Sequence, residues 1–233
     1  MIYRNLIADN IYDAFSELSS ILLTEGMSLA NDCVRTWIYF RDIEKDYNQM
    51  VSDRRRIFSE LGLNDSTHYI ASTGIQCNGM QHSPPIRLDA YTVPGLTPER
   101  ILYLNDFNFL CAAKDYGVTF ERGTRISYDD RYDYFVSGTA SVDKSGNSLY
   151  PNDIGMQLNH TLKNIEALLR SGGADMSNVK SFTVYAKNEK DFSYITNTIN
   201  KDLPHVAMAI LPSKICRQEL LVEIEAFAMK DII

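Results

Sequence analysis

The chain carries the stretch VRTWIYFRDIEKDY at residues 34–47 and a gapless counterpart, VKSFTVYAKNEKDF, at residues 179–192. Each copy begins with β-branched and aromatic residues, which favour a strand. Each copy then runs into the same Glu-Lys-Asp-aromatic sequence, an acidic start that is typical of a helix. The repeat predicts that one strand-helix unit occurs twice along the chain.

The sequence around the repeat extends both copies in the same order. A helix that ends near glycine is predicted before each first strand, at 11–25 and at 154–171, and further strands are predicted after each second helix. An opening hairpin is predicted only for the second copy, at 118–142, so the first copy is expected to begin directly with its helix.

These patterns predict an α+β fold in which helices cover one face of a mixed sheet. One copy of the unit is partial and the other is complete. The predicted domains are a partial half at 1–95, a Pro- and Gly-containing linker at 96–117 and a complete domain at 118–233.

Composition narrows the function classes. With 233 residues, 45% of them hydrophobic, the chain can bury a large core. Its net charge of -7 argues against a nucleic-acid partner, which requires a basic face. The N-terminus does not resemble a signal peptide and no apolar run is long enough to span a membrane, so a cytoplasmic protein without a membrane partner is expected. The four cysteines and four histidines lack metal-ligand spacing, and neither a metal nor another cofactor is expected.

The triplet Arg54-Arg55-Arg56 is the only basic run. On a helix three consecutive side chains point in three directions. We therefore interpret the triplet as a partly solvated helix end, with a pocket role for one of the three arginines as the alternative.

The stretch ICRQELLVEIEAFA at residues 215–228 alternates like a strand and places Glu223 and Glu225 on one face. Carboxylates in so apolar a strand are costly unless they are paired or used in chemistry. Cys216 and Arg217 lie just before them, which favours a pocket wall over a solvated edge. When the two copies are aligned, Arg87 stands opposite Glu223, so we predict one working site and one scaffolding half.

Several motifs resemble those of the Rid (YjgF) superfamily. They include SGTAS at residues 137–141 and VEIEAFA at residues 222–228, and the resemblance covers roughly residues 118–230. RTWIY at residues 35–39, ASTGI at residues 71–75 and the Cys-Arg pair at 216–217 resemble the chorismatases, a branch with two fused Rid-like halves. The resemblance implies Rid/chorismate-mutase-like domains, a homotrimer, and sites in clefts between domains.

The chain departs from both branches at two places. Residues 142–153 read like an ordinary Rid hairpin, where chorismatases usually carry a His/Glu/Thr-containing segment. Residues 204–209, PHVAMA, contain no arginine, although Rid deaminases hold the substrate carboxylate with an arginine there.

The resemblance implies that Glu223 is the catalytic acid, which handles a proton and orients water. An apolar wall would raise its pKa for this task; an ion pair across a subunit interface is the alternative. Arg217 suits a bidentate grip on a substrate carboxylate, and a salt bridge to Glu219 or Glu225 is its alternative. Cys216 is interpreted as a pocket liner with an inert thiol.

Further substrate-binding candidates lie on the hairpin of the second copy. Ser137, Gly138 and Thr139 could offer N–H and hydroxyl donors to an anionic group, and tight strand packing is the alternative. Arg122 could bind a second carboxylate, with an ordinary edge-strand charge as the alternative. Tyr134 is a candidate for the pocket rim.

The main hypothesis is a chorismatase-like enzyme that adds water to an enol ether or a related unsaturated group of a small carboxylate, releasing pyruvate if the substrate is chorismate. The first alternative is an enamine/imine deaminase with a rearranged carboxylate clamp. The second alternative is a non-catalytic protein that binds a small molecule.

Overall fold

The two copies form two separate mixed sheets in the computed structural model. The structure describes residues 2–77, 79–80, 84–110, 117 and 119–232. Cys111 and part of the predicted linker, residues 111–116, lie outside the described residues, as do His82 and Val118.

The first half contains one sheet of four strands. These are β1 (Ile2–Ala8), β2 (Cys33–Phe40), β3 (Ala71–Gln76) and β4 (Ile86–Thr92). Their order in the sheet is β1-β4-β2-β3, with β2 and β3 parallel and the other pairs antiparallel. The helices of this half are α1 (Ile11–Thr24), α2 (Leu29–Asp32) and α3 (Ile43–Glu60).

The second half contains one sheet of six strands. These are β5 (Ile101–Tyr103), β6 (Gly123–Ser127), β7 (Arg131–Ala140), β8 (Val179–Ala186), β9 (Ala207–Pro212) and β10 (Val222–Asp231). Their order is β5-β6-β7-β10-β8-β9, with β8 and β9 parallel. The helices of this half are α4 (Ile154–Ser171) and α5 (Phe192–Asp202). The four strands from β7 to β9 repeat the order and directions of the first sheet, so the predicted duplication holds at the level of topology.

The start of the first copy was predicted incorrectly. The chain does not begin directly with a helix, because β1 precedes α1 and pairs with β4 from Ile2–Thr92 to Ala8–Ile86. β1 takes the place that β7 has in the second sheet. It lies at the sheet edge and exposes Tyr3, Asn5 and Ile7 on one face. The first half therefore has one strand of the opening hairpin.

The segment predicted as a linker also contributes to a sheet. β5 lies within it and pairs antiparallel with β6 at the edge of the second sheet. The domain boundaries at 95/96 and 117/118 remain predictions.

Local sequence explains where the long helices start. The side chains of Asn10, Asp42 and Asp153 each accept a hydrogen bond from a backbone N–H in the first turn of α1, α3 and α4. Such caps satisfy backbone donors that have no partner within the helix. The apolar faces of these helices then pack on the sheets and form one core in each half. The predicted α+β fold, with helices on one face of each mixed sheet, is confirmed.

Across the described residues, every helix is too short or too polar to cross a lipid bilayer.

Candidate active site

A cavity of about 320 Å³ lies where the two halves meet. The first half provides α3 and the middle of β3, and the second half provides β7, the loop 215–221 and the start of β10. We call it the Glu223 cavity. Its charged lining residues are Arg54, Arg122, Arg217 and Glu223. Three guanidinium groups facing a single carboxyl group suit an anionic ligand.

Glu223 is the carboxyl group of this cavity. It sits on β10 opposite Ala140 of β7, and the residue is only 6% exposed. Burial is the main reason that the pKa of Glu223 is raised to about 8, and the charge of Glu225 adds to the rise. Arg35 and Arg122 oppose it with their positive charges. At neutral pH this side chain is therefore mostly a protonated acid.

Gly138 allows the acid to occupy this position. A Cβ atom at residue 138 would overlap the carboxyl group of Glu223 and would lie 2.9 Å from the methyl carbon of Thr73. The backbone N–H of Gly138 donates to Thr73 Oγ1 over 2.9 Å. The glycine of the SGTAS motif thus makes room for the acid, and its N–H is already used within the protein.

The neighbouring candidates Ser137 and Thr139 are fully buried in the structure. Ser137 Oγ donates to the carbonyl of Glu121 over 2.6 Å and accepts from the N–H of Ser72 over 2.9 Å. Thr139 Oγ1 donates to the carbonyl of Ser137 over 2.9 Å. These contacts correspond to tight strand packing, the alternative interpretation, because both hydroxyl groups connect protein strands and neither residue lines the cavity.

Tyr134 does not lie at the rim of the cavity. Its ring is buried in the core of the second half, and its hydroxyl donates to the carbonyl of Gly172 over 3.0 Å. The Tyr134 ring packs against residues of α4, whereas Gly138 and Ala140 line the cavity. The pairing of β7 with β10 shifts register between Ile224 and Ala226, so the residues before and after this irregularity do not follow one alternation.

The structure brings Arg217, Cys216 and Arg122 into the cavity together with Glu223. Arg217 Nη1 donates to the carbonyl of Gly146 over 2.6 Å, which attaches the turn after β7 to the cavity wall. Burial, with a contribution from the charge of Glu223, raises the pKa of the Cys216 thiol to about 12. Cys216 is therefore a neutral thiol and a wall residue, since nucleophilic attack requires the thiolate.

Arg122 is buried, and its guanidinium carbon lies 5.4 Å from the centre of the Phe120 ring. It contributes to the field at Glu223, where its positive charge lowers the pKa of the acid. An exposed edge-strand charge, the alternative considered from the sequence, does not describe this side chain.

Arg54 is a site residue that was not among the predicted candidates. For the triplet 54–56, the alternative was a pocket role for one of the three arginines. Arg54 fits this alternative, because it lies on α3, is 3% exposed and lines the cavity. Its Nε donates to Thr119 Oγ1 over 2.8 Å. In contrast, Arg56 has an exposed side chain and lies 3.6 Å from Asp53. The sequence contained one indication of this burial, because continuing the repeat at the same spacing beyond residue 47 places Arg54 opposite Ile199, an apolar residue that is buried in α5.

Glu225 has a different role from Glu223. It accepts hydrogen bonds from Arg35 over 2.7 Å, from Trp37 over 2.9 Å and from Thr73 over 2.8 Å, all in the first half. Tyr185 of the second half also donates to it, over 3.1 Å. Glu225 is therefore a paired carboxylate that connects β10 to β2 and β3. The pKa of Glu223, in contrast, is raised by burial and shifted by nearby charges, and no hydrogen bond is among the causes.

The described residues contain no group of three His, Cys, Asp or Glu side chains placed to hold a metal ion.

Comparison with known proteins identifies relatives of the second half. Residues 131–230 match the family described as Endoribonuclease L-PSP. A RutC family protein of Pyrococcus abyssi is 28% identical over 99 residues, which cover 42% of this chain and 78% of that protein. The 2-iminobutanoate/2-iminopropanoate deaminase of Rattus norvegicus is 28% identical over 102 residues, which cover 41% of this chain and 72% of that protein.

A match over nearly the whole chain is found with a chorismatase structure. A chorismatase crystal structure superimposes with a TM-score of 0.81 and 20% identity, covering 97% of this chain and 74% of that one. The predicted resemblance to the Rid superfamily is confirmed over the second half, and the two halves together have the chorismatase fold.

Proposed function

We propose that the protein is a chorismatase-like enzyme that adds water to an enol ether, or a related unsaturated group, of a small carboxylate. With a chorismate-type substrate the products would be pyruvate and an alcohol. The observation that carries this proposal is the buried, protonated Glu223 in a cavity whose other charged lining residues are arginines. Such a cavity binds an anion and offers it a proton at neutral pH.

In this proposal the three arginines of the cavity bind the substrate. Arg54 and Arg122 are buried and approach from opposite halves, while Arg217 lies beside the turn after β7. Guanidinium groups fit carboxylates with two parallel hydrogen bonds, and burial strengthens these bonds. The proposed substrate carboxylates bind here, with the unsaturated group directed at Glu223.

Glu223 acts on the bound substrate as a general acid. Its proton goes to the methylene carbon of the enol ether, and positive charge develops on the neighbouring carbon that bears the ether oxygen. Water adds to that carbon and returns a proton to the Glu223 carboxylate. In the resulting hemiketal the bond between the hemiketal carbon and the ether oxygen breaks, and the hydroxyl proton passes to that oxygen. The products are pyruvate and an alcohol that keeps the ether oxygen, with no net change in protons. A raised pKa suits this acid, because transfer is most efficient when the pKa lies near the working pH.

A second candidate is imine hydrolysis. It is favoured by the match of the second half to a protein named as an imine deaminase. PHVAMA at residues 204–209 lacks the arginine expected of Rid deaminases, but Arg54 and Arg122 supply buried cations from other elements. In this reaction Glu223 would deliver water to the iminium carbon and ammonia would leave. A non-catalytic protein that binds a small carboxylate is the remaining alternative.

Product analysis separates these functions. Purified protein incubated with chorismate is expected to release pyruvate, measured with a coupled dehydrogenase, and E223Q is expected to release none above background. Glu17→Gln serves as the control, because Glu17 is an exposed acid of α1 outside the cavity lining. The proposal fails if E223Q and the unchanged protein release pyruvate at the same rate, or if neither protein releases pyruvate.

Ammonia release from freshly generated 2-iminopropanoate would then identify the deaminase, and a thermal shift with chorismate but no product would identify the binding protein.

A homotrimer, which the family resemblance implies, and a cytoplasmic location, which the sequence predicts, belong to the same proposal. Sedimentation velocity tests the assembly, and a monomer at micromolar concentration would overturn that part alone.

A further inference from the structure

A second cavity, of about 210 Å³, lies on the other side of Phe120 from the Glu223 cavity. We call it the Tyr69 cavity. Phe120 is the one described residue that lines both cavities. The wall of the Tyr69 cavity combines two carboxyl groups, a histidine and several aromatic rings: Asp65, Glu121, His68, Tyr69, Tyr103 and Phe107. None of these residues has a part in the proposed reaction.

Tyr69 holds the two carboxyl groups in place. Its ring packs against Phe58 in the core of the first half, with ring centres 6.2 Å apart. Its hydroxyl donates to Asp65 Oδ1 over 3.0 Å, and its backbone N–H donates to Glu121 Oε1 over 2.9 Å. Each carboxylate thus uses one oxygen for orientation, and neither forms a salt bridge within the described part of the chain.

The histidine adds another acceptor. The His68 ring stacks on Tyr103 with centres 4.7 Å apart and planes 18° apart. Its Nδ1 lies 2.9 Å from the carbonyl oxygen of Tyr69. Because a carbonyl oxygen can only accept, Nδ1 carries a hydrogen, and in the neutral tautomer that has this hydrogen Nε2 is an acceptor. The ionisable groups of the wall other than tyrosine are thus two carboxyl groups and a histidine, while two asparagines and a threonine add polar groups that can donate as well as accept.

Aromatic faces and carboxylates together favour positive charge. Ring faces attract a cation, and a carboxylate hydrogen-bonded to an ammonium group gives one of the stronger hydrogen bonds in proteins. Burial and the Asp65 hydrogen bond raise the pKa of Tyr69 to about 12, and Glu121 contributes in the same direction. Arg55 opposes this rise, but its guanidinium donates to the carbonyl of Gly117, which does not line the Tyr69 cavity.

We propose that the Tyr69 cavity is a second ligand site, which binds a small organic cation consisting of an ammonium group on an aromatic or similarly flat body. Asp65 and Glu121 accept hydrogen bonds from the ammonium group, and Tyr103, Phe107 and Phe120 enclose the body. Phe107 lies at the rim, where 64% of it is exposed. The site is chemically the opposite of the Glu223 cavity, which is lined by three cations.

Calorimetric titration with benzylamine, which is protonated at neutral pH, tests the proposal. Benzyl alcohol is the neutral control of the same shape. Glu121→Gln and Asp65→Asn each remove a charge but keep the oxygen that accepts from Tyr69, so the fold is retained. Loss of one charged hydrogen bond is expected to weaken benzylamine binding by about tenfold in Glu121→Gln and by less in Asp65→Asn, because Asp65 is exposed to solvent. Benzyl alcohol is expected to bind at least about tenfold more weakly than benzylamine.

Two control variants test whether the loss of benzylamine binding is specific to the Tyr69 cavity. Asp106→Asn removes a charge that does not line the cavity and should leave benzylamine binding unchanged. E223Q should also bind benzylamine normally, so failure of this proposal is distinguishable from failure of the proposed reaction. Equal affinity for benzylamine and benzyl alcohol, unchanged binding by both charge variants, or no heat at about 10 mM benzylamine would each overturn the proposal.

Discussion

Two acids on one face of β10 have opposite environments. Glu225 accepts four hydrogen bonds from described residues, whereas Glu223, two residues earlier, faces a cavity and keeps its proton to about pH 8. The sequence showed both carboxylates in an apolar strand and predicted that they would be paired or used. The partners of Glu225 could not be predicted, because Arg35, Trp37 and Thr73 come from the other half of the chain.

The raised pKa of Glu223 makes stability depend on pH. In the folded protein Glu223 loses its proton near pH 8, and in the unfolded chain it does so near the ordinary value of 4.5. Between these values the folded state binds more protons, so the free energy of unfolding falls as pH rises. The slope from this one group is at most about 1.4 kcal/mol per pH unit. Its stabilising contribution is complete below pH 4.5 and is lost as pH passes through 8.

Urea unfolding of the unchanged protein and of E223Q across pH 5–9 measures this effect. Glutamine cannot ionise, so the advantage of E223Q over the unchanged protein should grow with pH and then level off above 8. The rate of pyruvate release should fall over the same upper range, because the acid form performs the proton transfer. A stability difference that is independent of pH would contradict the assignment.

At the scale of elements, the four long helices and the strands before and after each second helix could be predicted, because the repeat presents them twice. β1 was missed because IYRNLIA does not alternate cleanly between apolar and polar residues and lies directly before a strong helix signal. Arg54 was missed because one residue of a basic run carries no local sign of burial. Its position opposite Ile199 in the repeat was the available clue.

Helix α3 carries a matched pair of arginines for a test of substrate binding. Arg54 lines the cavity, and Arg56, two residues later, is exposed with its guanidinium 4.2 Å from the centre of the Tyr12 ring. Arg54→Met is expected to raise the KM for chorismate by about tenfold or more, since it removes a charged contact to a carboxylate. Arg54→Lys should recover part of this loss, because lysine keeps the charge but lacks the planar fork.

Arg56→Met is the control and should leave KM unchanged. The measurement is the KM for chorismate of Arg54→Met, Arg54→Lys and Arg56→Met from steady-state kinetics. If Arg54→Met and Arg56→Met raise KM equally, or if neither does, Arg54 does not contribute to the binding of the substrate.

At the scale of the whole molecule, the site exists only because two halves are joined. α3 and β3 bring Arg54 and Gly74 to the cavity, and β7 and β10 bring Gly138 and Glu223. A repeat in the sequence predicts the fold of each half, but it contains no information on how the two sheets face each other. For this reason the second copy was assigned every candidate site residue, and the contribution of the first half emerged only from the structure.

One of the contacts that join the two halves is the buried ion pair formed by Arg35 and Glu225. Arg35 is buried, with a side chain only 2% exposed, and Glu225 is its salt-bridge partner at 2.7 Å. Glu225→Gln would leave the guanidinium buried without its counter-charge, and breaking a buried pair in this way costs about 3–5 kcal/mol. Urea unfolding at pH 8.5 is therefore expected to show a large loss for Glu225→Gln and none for E223Q, although both variants remove one carboxylate from the same face of β10. Equal unfolding midpoints for the two variants would show that the Arg35–Glu225 pair does not hold the halves together.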